Sequence, residues 1–81
     1  INMIECPGPG KLILVRSLGN IKATKISLNE QEVKEIIENF SQQTRIPIIT
    51  GIFKAAVGNI LITAIISEFV GSRFIITRKL G

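Results

Sequence analysis

The segment Asn29-Glu30-Gln31-Glu32-Val33-Lys34-Glu35-Ile36-Ile37-Glu38-Asn39-Phe40 reads as a helix without ambiguity. Val33, Ile36, Ile37 and Phe40 recur at i, i+3, i+4 and i+7, the spacing of one apolar stripe on a 3.6-residue turn. Asn29 has a side-chain oxygen suited to an N-cap, and Glu32 stands three residues on, where a capping-box acid belongs. Leu28 and Val33 flank that cap at the hydrophobic-staple positions. Glu30 and Glu32 place negative charge on the first turn, and Arg45 comes near the end, both favourable to the helix dipole. Pro47 disfavours continuation, so the helix is expected over residues 30–44.

Both flanks of this helix read as strand. Before it, Lys11 to Leu18 carries the apolar run Leu12, Ile13, Leu14, Val15. Gly19-Asn20 is a plausible two-residue turn into a returning strand, Ile21 to Leu28. There Ile21, Ala23, Lys25 and Ser27 fall on one face and Lys22, Thr24, Ile26 and Leu28 on the other. Ile1 to Ile4 reads as a short strand, ended by Pro7-Gly8-Pro9-Gly10, where prolines fix φ and glycines release it. After the helix, Gly51–Val57, Ile60–Phe69 and Arg73–Leu80 are rich in Ile, Val, Thr and Phe. Gly58-Asn59 and Val70-Gly71-Ser72 supply their turns. The expected fold is α+β, an antiparallel sheet of five to six strands with one main helix, in the order ββ(β)-α-βββ. Ile60 to Ile66 has little polar alternation, which predicts a strand covered on both faces. One helix covers part of one face, so the other is expected to pack on a second domain or subunit.

Composition limits the chemistry. The 81 residues fit one small domain. With 46% hydrophobic and 20% charged residues they read as globular material. There is no His, Asp, Trp or Tyr, and the six acids are Glu5, Glu30, Glu32, Glu35, Glu38 and Glu68. Without His no Ser–His–Asp or Cys–His pair forms within the chain. Cys6 is the sole cysteine, which leaves no internal disulfide and no all-cysteine metal site. It reads as a small buried or half-buried residue. No G-x-x-x-x-G-K-[ST] loop is present. Pro7-Gly8-Pro9-Gly10 lacks that loop's lysine and hydroxyl, so it reads as a structural turn. The chain by itself reads as a binding, regulatory or assembly domain rather than an enzyme. It does not begin with Met and is expected to be part of a longer protein. Its longest apolar run, Ile60 to Ile66, falls well short of the roughly 20 residues a spanning helix needs.

The net charge is +4, with a pI of about 9.7. Four of the six Glu lie between residues 30 and 38, the wet face of the helix, so the remainder is strongly basic. Lys11, Arg16, Lys22 and Lys25 on the first hairpin are candidates for a basic rim. Glu68 interrupts an apolar strand and is expected to exit into a turn or to pair with a cation.

Three stretches, taken in order, resemble one family. Met3-Ile4-Glu5-Cys6-Pro7-Gly8-Pro9-Gly10 with the strand Lys11 to Val15 is similar to the opening of the N-terminal domain of type II/type IV secretion ATPases, with archaeal pilus and archaellum motors nearest. Asn29 to Arg45 with Pro47-Ile48 resembles their next helix and its exit. Gly71-Ser72-Arg73-Phe74-Ile75-Ile76-Thr77-Arg78-Lys79 resembles the basic strand that closes this domain before the hexameric motor. The resemblance implies a PAS-like cap that moves against a RecA-like motor domain of the same or a neighbouring subunit. It also implies ATP and Mg in the whole protein, a homo-hexamer, an inner-membrane secretion platform as partner, and a cytoplasmic place beside the membrane. Arg78 matches the arginine of the family's closing strand, and Arg73 starts the same strand; both are candidates for contact with nucleotide phosphates, which guanidinium binds in a bidentate way. By alternation the two face opposite sides. Leu61 stands where the family often carries a second arginine, and Asn2 stands near its first-strand acid.

A basic sheet is also what some nucleic-acid-binding domains present. Those stack bases on aromatic residues, and this chain has only Phe40, Phe53, Phe69 and Phe74. Phe40 is committed to the helix stripe, so nucleic acid is the disfavoured partner. A plain oligomerisation module is the remaining alternative.

Overall fold

The computed structural model describes residues 2–67 and 71–78. Six strands and one helix follow one another: β1 (Met3–Cys6), β2 (Leu12–Ser17), β3 (Asn20–Ser27), α1 (Glu30–Thr44), β4 (Gly51–Val57), β5 (Ile60–Ile66) and β6 (Arg73–Arg78). All pairings are antiparallel and form one sheet in the order β3-β2-β1-β6-β5-β4. Two three-stranded meanders therefore meet where the first and last strands pair. The fold is the expected α+β arrangement, with six strands and one helix. The expected strand ends at Phe69 and Leu80 lie outside the described residues, as do Ile1, Glu68, Val70 and Lys79.

The helix starts where its capping box dictates. Asn29 Oδ1 accepts from the Glu32 amide at 2.8 Å, and Glu32 Oε1 accepts from the Asn29 amide at 3.0 Å. Two of the unpaired first-turn donors are thereby satisfied. At the other end Arg45 is the C-cap, in the left-handed region at φ 59. The last turn itself holds no basic residue, so Arg45 closes the helix by its backbone instead of acting as a charge within that turn.

Strand alternation builds the core. Cross-strand partners put Phe53, Ala64, Phe74 and Cys6 in one row and Ala55, Ile62, Ile76 and Ile4 in the next. Val33 and Ile37 of α1 are buried against this face. Leu28, Ile36, Phe40, Ile48 and Ile66 pack around them. Burying a side chain such as Ile37 contributes about 2 kcal/mol. The molecule measures 33 × 32 × 17 Å, a slab one sheet and one helix thick.

Three local expectations are corrected. The first strand is Met3–Cys6 rather than Ile1 to Ile4, because pairing with β6 runs on to Cys6 opposite Phe74. The β2–β3 turn is centred on Leu18-Gly19, not Gly19-Asn20, since Asn20 already pairs with Ser17. Both turn residues have positive φ (51 and 82), the requirement of a type I′ hairpin. Strict alternation in β3 fails between Ala23 and Ser27, where the register shifts. There Thr24 Oγ1 donates to the Ile13 carbonyl at 2.8 Å and accepts from the Ile26 amide at 3.1 Å, taking up groups the ladder leaves unpaired.

Candidate functional site

The helix covers one side of the sheet. No described residue lies over the other side. On that open face the register aligns Ala56, Leu61, Thr77, Met3, Arg16 and Ile21 in one row. The next row is Lys54, Thr63, Ile75, Glu5, Leu14 and Ala23. A third begins Ile52, Ile65 and Arg73. Ile52 is 65% exposed, and Leu12, Ile21, Leu61, Ile65 and Ile75 are exposed as well. This is a contiguous apolar surface, not the scatter of single apolar side chains that any protein shows.

The charges on this face are unevenly signed. Arg16, Lys54 and Arg73 are exposed cations, and among the described residues half-buried Glu5 is the single acid that the register places beside them. Glu5 lies near the middle of its row. Arg16 and Arg73 belong to the rows on either side of it. Among the described residues the one ion pair is Lys34–Glu38 at 4.0 Å, on the helix, so none of these four groups forms an ion pair with another described residue. A shallow groove of about 230 Å³ is lined by Glu5, Thr63, Arg73 and Ile75 among others. A larger cleft of about 560 Å³ lies on the helix side, and its charged lining is Glu30, Lys34 and Glu38.

Both arginines of the closing strand are exposed, but they do not converge. Arg73 pairs with Ile65 and lies on the open face. Arg78 pairs with Ile60 and shares the helix-side face, five residues further along. That separation is about 17 Å of strand. Leu61 is on the open face beside Thr77, the side opposite Arg78. The first-hairpin cations are split too: Arg16 pairs with Ile21 on the open face, whereas Lys22 pairs with Val15 on the helix side. Asn2 extends the β1 ladder through backbone bonds with Arg16 and Arg78, leaving its side chain exposed.

Cys6 is fully buried, with its Sγ 3.8 Å from the Gly8 carbonyl oxygen, and burial pushes its thiol above the ordinary value. It is packing material. Among the described residues no cluster of three potential metal ligands occurs, and no helix is long and apolar enough to cross a membrane. Sequence reasoning identified the apolar character of β5 but not the set Glu5, Arg16 and Lys54 around it. Their common face depends on the pairing of β1 with β6.

No family model, curated protein or solved structure matches the chain.

Proposed function

We propose that this chain is a non-catalytic, PAS-like cap domain of a hexameric secretion or pilus-assembly ATPase. It docks on a RecA-like motor domain and moves against it during the nucleotide cycle. The observation that carries this reading is the uncovered apolar sheet face on a domain without a catalytic set of its own. The ordered resemblance of its opening, helix and closing strand to that family adds the identity of the neighbour. One antiparallel sheet with its helical connection on one side is compatible with a PAS-like description.

In this reading Arg73 and Arg78 reach different surroundings. One of them biases the docked state when ATP phosphates are present, because a ligand contacted in only one arrangement favours that arrangement. ATP and Mg belong to the motor. The placement is cytoplasmic, next to an inner-membrane platform.

The first test is the reading frame beyond Gly81. A G-x-x-x-x-G-K-[ST] loop between a strand and a helix supports the motor, and a stop codon refutes it. The second is nucleotide affinity and turnover of the intact protein with Arg73→Ala and Arg78→Ala. Unchanged values in both variants remove the phosphate-sensing role.

A further inference from the structure

We infer that the open face is a docking site for an apolar protein surface rimmed by carboxylates, with a cation or hydrogen-bond donor at its centre. This rests on the docking part of the function proposed above, and not on the partner being a motor.

Size comes first. Six strands about 4.8 Å apart and about 20 Å long give a face of about 600 Å². Covering it removes about 1,200 Å² in all, the lower end of stable, specific interfaces.

Charge then selects the occupant. Among the described residues that the register assigns to this face, the cations Arg16, Lys54 and Arg73 outnumber the acid Glu5. A second copy laid on it face to face brings two such surfaces together, and like charges across an interface disfavour the pairing. The outer side of α1 has the right sign, through Glu30, Glu32 and Glu35. Its exposed residues are polar, with Gln31 and Lys34 between the acids and Gln42 beyond them, so it cannot cover Ile52, Leu61, Ile65 and Ile75. An anionic membrane would satisfy the three cations but would press lipid onto Glu5, whose carboxylate then loses water without gaining a partner. A folded protein can set a donor opposite Glu5 and acids opposite Arg16, Lys54 and Arg73 at once.

Isotope-labelled protein titrated with two designed helical peptides tests this. Both carry the same leucine face, one flanked by glutamates and the other by lysines. The glutamate-flanked peptide is expected to move the amide resonances of Leu14, Thr63 and Ile75, leave those of α1 unmoved, and bind at least tenfold more tightly than its counterpart. The Arg16→Glu/Arg73→Glu double variant should invert the preference. Equal binding of the two peptides, binding of neither, dimerisation of the protein through these resonances, or binding of phosphatidylglycerol vesicles in place of peptide each overturns the assignment. A phosphate-loop frame downstream with a failed titration leaves the motor standing. The converse leaves the surface standing.

Discussion

Arg73 and Arg78 bound the same strand and project from opposite faces of the sheet, one beside Ile65 and the other beside Ile60. Groups so placed do not share a ligand. On the function proposed above, a double-mutant cycle of Arg73→Ala and Arg78→Ala on nucleotide affinity of the intact protein should therefore be additive within about 0.5 kcal/mol. A coupling above about 1 kcal/mol would show one ligand touching both.

Leu18 occupies a left-handed turn position (φ 51) and is 90% exposed. An Asn there matches the Asn-Gly preference of type I′ turns, with the φ 82 glycine already following. Leu18→Asn should stabilise the protein by about 0.5–1 kcal/mol. Thermal melting should register this as a rise of about 3–6 °C. A fall would mean that Leu18 is held by contacts its exposure does not suggest.

Gly71 combines φ +81 with close approach to Pro9, whose Cδ would lie 2.8 Å from an added Cβ. Gly71→Ala should cost about 2–3 kcal/mol in denaturant unfolding. Adding Pro9→Ala should restore the steric part and leave the backbone part.

The reciprocal bonds of Asn29 and Glu32 fix the start of α1. Asn29→Ala should lower stability by about 1 kcal/mol with an unchanged denaturant slope. Once Asn29 is gone, Glu32→Ala should cost less than it does alone, because the two bonds support one another.

Burial raises the Cys6 thiol above its ordinary 9.0. The folded state then keeps a proton that the unfolded chain releases near pH 9, so stability is flat below that pH and falls as pH rises above it. Urea midpoints in reductant at pH 8, 9 and 10 should decline more steeply for the native chain than for Cys6→Ala. Equal declines would remove the thiol as the cause. For the same reason the folded protein should resist thiol reagents at neutral pH.

The helix was legible from sequence because every signal that defines it is local: Asn29, Glu32, the Val33–Phe40 stripe and Pro47. The strands were legible as apolar segments, but their details depend on partners far along the chain. Whether Leu18-Gly19 or Gly19-Asn20 forms the turn depends on which residue faces Ser17. The break in β3 at Thr24 has no signature beyond a hydroxyl in a strand. Opposite projection of Arg73 and Arg78 followed from parity alone. The grouping of Glu5 with Arg16 and Arg73 did not, since it requires β1 to lie between β2 and β6.

That central placement also governs when the sheet can be completed. Each meander closes through short hairpins, but Met3 pairs with Thr77, almost the whole chain away. Joining such distant segments carries a loop-closure cost that local hairpins avoid, and it slows folding. During synthesis the two halves can form separately while Cys6 waits for Phe74 to emerge from the ribosome. Until then both β1 and β5 offer bare edges, making this sheet most prone to mispairing in the interval before β6 is translated.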